Sequence, residues 1–413
     1  MTPEELAAAR ERLEEFAAEM FAPLARSDQR NKGATYVRGL LLDGRRKSMQ
    51  PMAERLGVDH QGLQQFVSSS TWAVETVRQR LARRAVAVIA PDAWVVDDTG
   101  FPKDGTASPA VARQYSGTLG KVANCQIGVS VHAVTDAASC PLNWRLFLPA
   151  GWDDAAGATP EAAAAITARR TRAGIPGAAR HHPKWRLALE MLDELAGWGL
   201  HPPVVVADAG YGNNGDFRAG ITARGSHYVV SVDGDLTAHA VDAVPTLKPY
   251  SGRGRRPRPR YRTRPQGLRE HALAAGRTAA RQITWREGSR GALASSFLAL
   301  RVRPAGRNPT ARLADDGSLA PAWLLAEWPP DEPEPTDYWL SDLPGDTPLP
   351  ELVRLAKIRW RIEHDYRELK TGLGLDHFEG RTFAGWHRHV TLVTAAQLFI
   401  TLLRTSPKAA APA

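Results

Sequence analysis

The sequence predicts an α/β protein: a mixed sheet flanked by helices, with an all-helical N-terminal segment and a β-rich insertion late in the chain. Residues 1–90 repeat apolar side chains at helical spacing and contain no alternating stretch. Three strand-like runs then follow one another before helix and strand begin to alternate. Between residues 236 and 350, short β-prone runs are separated by Pro- and Gly-rich turns.

The chain has 413 residues, too many for one core and enough for domains of about 100–200 residues each. Hydrophobic residues make up 43% and charged residues 23%, which excludes wholesale disorder. Two cysteines, Cys125 and Cys140, exclude a disulfide framework and a cysteine zinc site. The best apolar run, Val390 to Leu403, is broken by Thr391, Thr394, Gln397 and Thr401, and none approaches the roughly 20 residues that span a bilayer. Met1-Thr2-Pro3-Glu4-Glu5 reads as a helix start rather than a signal peptide. A cytosolic protein with no membrane partner is therefore expected. With 53 Lys+Arg against 44 Asp+Glu, the net charge is +9, which points to a polyanionic partner.

In the helical segment, Leu6, Leu13, Phe16, Met20 and Leu24 form one stripe. Ser48 to Ser70 reads as helix, tight turn, helix, with Ala53 for close packing, Gly57 for the turn and Leu63 as anchor. An ordinary helical hairpin fits that pattern as well. In a DNA reader, His60, Gln61, Gln64 and Gln65 would lie on the exposed face of the second helix. Strands follow at Ala93 to Asp97, Cys125 to Ala133 and Leu142 to Leu148. The second alternates Ile127, Val129 and Val131 with Gln126, Ser130 and His132. A helix over Lys184 to Trp198, a strand at Val204 to Ala207, a short helix near Gly215 to Thr222 and a strand at His227 to Val232 come next. The insertion holds strand-like runs at Gln282 to Trp285, Phe297 to Val302, Trp323 to Glu327 and Tyr338 to Leu343. Two helices, Glu351 to Leu373 and Trp386 to Arg404, end the ordered chain. The expected domains are 1–90, a core of 91–235 completed by 351–405, an insertion of 236–350 and a disordered tail of 406–413.

Two acidic sites sit at strand ends: Asp97-Asp98 after Val95-Val96, and Asp208 after Val204-Val205-Val206-Ala207. A carboxylate after buried apolar residues is costly unless paired, solvated or metal-bound, and open α/β sheets place their sites at strand ends. Turn-initiating and capping roles are the structural alternative for each. The long helix buries Leu355, Ile358, Ile362, Tyr366, Leu369 and Leu373, and beside that stripe run Arg359, Glu363, Arg367 and Lys370. A salt-bridged surface is one reading of this ladder; a metal-binding acid flanked by phosphate-binding cations is the other. Glu368 lies about 140° around the helix from Glu363 and is expected to be solvated. Three carboxylates make an oxygen cage suited to Mg²⁺ or Mn²⁺. Two such ions about 3.5–4 Å apart serve phosphodiester cleavage. His181-His182 and His387-Arg388-His389 lack zinc-ligand spacing.

Asp98-Thr99-Gly100-Phe101-Pro102-Lys103, Arg113-Gln114-Tyr115-Ser116-Gly117-Thr118-Leu119-Gly120-Lys121 and Arg359-Trp360-Arg361-Ile362-Glu363 resemble bacterial insertion-sequence transposases of the DDE class, in particular the insertion sequence 701 family. The likeness covers residues 35–395. It implies a ribonuclease H-like core, two Mg²⁺ or Mn²⁺ ions and cutting and joining of transposon ends. The implied catalytic and metal-binding triad is Asp98, Asp208 and Glu363. Asp97 is the alternative first acid, since neighbours on a strand face opposite sides. Arg359 takes the arginine place and Lys370 the lysine place of the family's helix signature; its tyrosine place falls on Ala356, a departure. The expected partner is double-stranded DNA, held by Arg359, Arg361, Arg367, Lys370, Lys121, Arg255, Arg256 and Arg258, with a homodimer in the active complex. A non-catalytic DNA-binding protein derived from a transposase is the competing reading. It would tolerate loss of an acid, yet all three are present. A haloacid dehalogenase-type phosphatase would want Asp-x-Asp where the acids here are adjacent.

Overall fold

Thr2 opens the first helix with a capping box. Its hydroxyl accepts from the Glu5 N–H at 3.2 Å, and the Glu5 carboxylate accepts from the Thr2 N–H at 2.8 Å. The structure, a computed structural model, describes residues 2–117, 120–288, 291–306, 313–314 and 316–405. The tail expected to be disordered, 406–413, and Thr118-Leu119 lie outside the described residues. The chain divides into two units, one of Met1–His201 with Trp360–Ala413 and one of Pro202–Arg359.

The first unit begins with helices α1 (Pro3–Phe21), α2 (Ser27–Leu41), α3 (Met49–Leu56), α4 (His60–Ser68) and α5 (Val74–Ile89). Strands β1 (Ala93–Pro102), β2 (Ala112–Ser116), β3 (Lys121–Val134) and β4 (Ser139–Leu146) follow, then helices α6 (Pro160–Arg172) and α7 (Lys184–Gly197). The second unit holds β5 (Val204–Ala207), α8 (Ala209–Gly212), α9 (Gly215–Ala223), β6 (His227–Val232), β7 (Thr237–Ala240), β8 (Gln266–Gly267) and α10 (Leu268–Ala275). It continues through β9 (Arg281–Gly288), β10 (Gly291–Pro304), β11 (Ala322–Glu327), β12 (Asp337–Ser341) and α11 (Leu349–Lys357). The chain then returns to the first unit with α12 (Trp360–Arg367) and α13 (Phe383–Thr405).

In the first unit, β3 pairs antiparallel with β1 along one edge and with β2 and then β4 along the other. α13 is buried on nearly every side and forms the axis of the unit. Its threonines need no outside partner, because Thr391, Thr394 and Thr401 donate to the carbonyls four residues back at 2.8–3.0 Å. α1, α2, α4 and α5 pack on it, with Phe16 against Phe399 and the Tyr36 hydroxyl 2.9 Å from His389 Nδ1. The helical segment expected at 1–90 is thus part of the first unit's core. No described helix is long and apolar enough to cross a membrane.

The helix, turn, helix reading of Ser48 to Ser70 matches α3 and α4. Gly57 ends α3 at φ 65°, a left-handed conformation that favours glycine. Ala53 and Leu63 are each 2% exposed, and His60, Gln61, Gln64 and Gln65 are exposed.

In the second unit, β5 and β6 are parallel and β6 pairs antiparallel with β12. The antiparallel series β12, β11, β10, β7, β8 continues from there, with β9 also on β10. The strands that fall within 236–350, the stretch expected to be a β-rich insertion, continue the sheet from β6 through β12. β2, β7, β8, α6, α8 and α10 have no counterpart among the elements the sequence predicts.

The single long helix expected over residues 351–373 is broken. α11 ends at Lys357, α12 starts at Trp360, and Glu368–Gly372 form a π-helical turn in which the Leu373 N–H reaches the Glu368 carbonyl at 3.2 Å. The apolar stripe survives the breaks, since Leu355, Ile358, Ile362, Leu369 and Leu373 are all buried. Burial periodicity reports which side chains face inward and is blind to a local change of pitch.

Candidate active site

β1 runs through the first unit with Ala93 to Asp97 buried and Asp98 half-buried. Directly opposed residues of an antiparallel pair project to the same face, so the β1–β3 register assigns the sides. Asp97 lies opposite Ser130 and Asp98 opposite Val129. The Ser130 face is covered by α12, whose Tyr366 hydroxyl is 2.7 Å from Ser130 Oγ. The Asp98 face meets α7, where Lys184 Nζ donates to both Asp98 oxygens at 2.9 and 3.0 Å. Asp97 is 6% exposed, and its Oδ1 accepts the Asp98 N–H at 2.7 Å.

Lys184 carried no signal in the motifs. It is the first residue of α7, at the positive end of a helix where acidic residues are favoured. A lysine there, straight after Pro183, is the one feature that could have marked it. Its ammonium lies against one of two adjacent acidic side chains.

Gly100 explains why two of the motifs coexist. A Cβ at that position would lie 2.2 Å from the hydroxyl of Ser116, so the Asp98-Thr99-Gly100 and Tyr115-Ser116 segments meet at closest packing. Lys103, the last residue of the first motif, is half-buried and donates to the Phe378 carbonyl at 2.5 Å; burial lowers its pKa.

Glu363 is exposed in the first turn of α12. The cations expected on DNA divide sharply. Arg361 turns inward: its side chain is 15% exposed, Nε donates to Ser139 Oγ at 3.0 Å, and it lies 3.9 Å from Asp365. Lys370 also turns in, donating to the Gly100 carbonyl at 2.8 Å, and burial pushes its pKa below the usual lysine value. Arg367 and Lys121 are exposed, and Arg359 is half-buried at the end of the second unit. Glu368, expected to be solvated, is instead held by Arg404 of α13 at 2.8 and 2.9 Å, and that hydrogen-bonded pairing lowers its pKa. The π-turn and the approach of α13 supply this partner from 36 residues away, beyond the reach of local spacing.

In the second unit, Asp208 follows β5 directly and starts α8. Its carbonyl accepts the Gly212 N–H at 2.7 Å. A Cβ on Gly212 would sit 1.9 Å from the Ser231 carbonyl oxygen of β6, so this glycine lets the turn after Asp208 press against the sheet. The arginine-rich loop is irregular and exposed at Arg255, Arg256 and Arg258, and is stitched by a backbone bridge between Thr246 and Arg260. Among the described residues, no group of three or more His, Cys, Asp or Glu side chains is arranged to hold a metal ion. Both cysteines are buried free thiols.

The sequence matches the family described as DDE superfamily endonuclease over residues 19–292, a stretch that includes Asp97, Asp98 and Asp208 and stops short of Glu363. It is also 26% identical over 211 residues to a protein of Microchaete diplosiphon named "Probable transposase for insertion sequence element IS701". That alignment covers 50% of this chain and 49% of the relative, so the chain spans about half the length of the relative it matches. With the family match extending over well beyond half of its residues, the chain belongs to the DDE superfamily endonucleases.

Proposed function

We propose that this protein is a transposase that binds the ends of an insertion sequence and performs metal-dependent DNA strand cleavage and transfer, in the bacterial cytosol and as a homodimer in its active complex. The observation that carries the reading is the placement of α12, the helix bearing Glu363, over the acid-bearing strand β1 in a chain of this endonuclease family. The core is taken to be ribonuclease H-like.

The donor set fits a divalent metal. Its members are carboxylates, hard oxygen donors, and at Asp98 a cation, the Lys184 ammonium, already lies against both oxygens. Asp98, Asp208 and Glu363 would hold two Mg²⁺ or Mn²⁺ ions, which when bound supply activation of the attacking oxygen and neutralisation of the leaving one. The protein's own part is to present the acids and to fix the strand. Arg367, Lys121 and the Arg255, Arg256 and Arg258 loop are exposed for phosphate contacts. Metal-dependent nicking of an end sequence by the full chain tests the reading. Tight binding with no nicking would leave the non-catalytic DNA-binding alternative.

One observation favours Asp97 over Asp98 as first ligand: Asp97 shares its face of β1 with α12, while Asp98 faces Lys184. On that reading Asp97→Asn abolishes nicking, and Asp98→Asn, which gives up the Lys184 ion pair, retains at least about a tenth of the rate. The reverse order in a nicking assay would return the place to Asp98.

The arginine loop is read as a backbone clamp without sequence preference. Replacing Arg253, Arg255, Arg256 and Arg258 with Gln should flatten the slope of log affinity against log salt by about 2–4 units. An unchanged slope in a filter-binding or anisotropy series would make the loop a bystander.

A further inference from the structure

α12 has only eight residues, lies after a break at Ile358-Arg359 and runs into a π-helical turn. Helix continuity therefore does not fix its rotation. The interface below it holds a chain of polar side chains where apolar packing would cost less. Tyr366 OH lies 2.7 Å from Ser130 Oγ, which lies 2.9 Å from His132 Nε2. His132 Nδ1 is 3.4 Å from Asp365 Oδ2, both side chains being fully buried. Asp365 Oδ1 accepts from Ser139 Oγ at 2.6 Å, and Ser139 Oγ accepts from Arg361 Nε at 3.0 Å. Trp144 closes the far side, its ring centroid 5.9 Å from that of His132 and its Nε1 donating to Thr394 of α13 at 3.1 Å.

We propose that this buried chain, Tyr366–Ser130–His132–Asp365–Ser139–Arg361, is a positioning device that sets the rotation of α12 on β3 and thereby the direction in which Glu363 presents its carboxylate. The inference deepens the transposase reading and rests on Glu363 belonging to the site. Three residues of α12, at 361, 365 and 366, engage strand side chains two to three positions from Glu363 along the helix. One residue of rotational slip is about 100°, enough to swing Glu363 to another side, and each of these three contacts would break in such a slip. Ser130 is also the residue directly opposite Asp97, so the device refers the helix to the strand that carries the first acid. Tyr366, Ser130, His132 and Asp365 are thus positioning residues.

Tyr366→Phe and Ser130→Ala each remove one hydroxyl and keep the packing. Each is expected to slow single-turnover nicking about tenfold, with end-DNA affinity within about twofold, because a small misplacement of a reacting group is costly to rate. Each should also raise the Mg²⁺ concentration for half-maximal nicking, since one metal carboxylate is no longer held in place. The double variant should be no worse than Ser130→Ala alone, because that change already breaks the contact that Tyr366→Phe removes. Val77→Ala, a core truncation on α5, provides an equally or more destabilised comparison and should nick at the wild-type rate below its melting temperature. Wild-type rate and Mg²⁺ requirement in both hydroxyl variants would overturn the inference, as would a loss in Val77→Ala equal to theirs. Glu363→Gln separates the two claims: if it nicks normally, the site reading itself fails, whereas an inactive Glu363→Gln beside fully active hydroxyl variants refutes only the positioning device.

Discussion

Asp208→Asn and Glu363→Gln should each leave binding of end DNA within a few-fold of wild type and reduce strand cleavage in Mg²⁺ by about 10³-fold or more. Each change keeps the side-chain shape and removes a charge that the metal site is proposed to need. Loss of metal-borne charge stabilisation is worth several kcal/mol in the transition state, and about 1.4 kcal/mol corresponds to each tenfold in rate. Both positions tolerate the change structurally: Glu363 is exposed and Asp208 is half-buried at the start of a turn. Glu368→Gln is the internal control. It gives up the Arg404 pair, a partly exposed contact worth under about 1 kcal/mol, and should cleave at close to the wild-type rate. Cleavage by Asp208→Asn above about a tenth of wild type would remove it from the site, and exchanged phenotypes for the two glutamates would overturn the assignment of this helix.

Gly212→Ala is expected to be among the most destabilising single-methyl changes in the second unit. The new Cβ would meet the Ser231 carbonyl oxygen at 1.9 Å and the Val230 side chain at 3.0 Å. The β6 backbone at Ser231 is held in the β6–β12 ladder opposite Trp339 and cannot retreat without disturbing it, so the cost should reach about 3 kcal/mol or more. Gly197→Ala makes the contrast. That glycine ends α7, and a methyl added to it would have nothing within 4 Å, so alanine there should be neutral or raise stability by up to about 1 kcal/mol. Chemical denaturation of the two variants checks the pair; equal midpoints would mean that the close approach of α8 to β6 is not part of the folded protein. Because the same turn presents Asp208, a Gly212→Ala protein that does fold should also cleave poorly.

Much of this was legible in the sequence because it depends on local chemistry. Val95-Val96 and Val204 to Ala207 read as buried strands, and the acids after them had to be solvated, paired, capping or metal-bound. Gly57 between two amphipathic stretches required a left-handed turn. Five of the six residues of the stripe from Leu355 to Leu373 are buried, Tyr366 being half-buried, while Asp365, outside the stripe, is fully buried. Each of these follows from the period of a strand or helix and from the cost of burying a charge.

What the sequence left open depended on partners distant along the chain. Asp97 and Asp98 are chemically alike and adjacent; only the register against Ser130 and Val129, with α12 on one face and Lys184 on the other, tells them apart. Arg361 and Lys370 read as DNA-facing cations because spacing cannot see Ser139 or the Gly100 carbonyl, to which they turn. Glu368 read as solvated because Arg404 lies a helix away. The alternation along β3 set Ser130 and His132 on one face without saying what covers it; both are fully buried beneath α12. Sequence period determines which side chains lie together on a surface. Which element then covers that surface, and so whether a polar side chain meets water, a partner or a substrate, is decided only when the chain closes on itself.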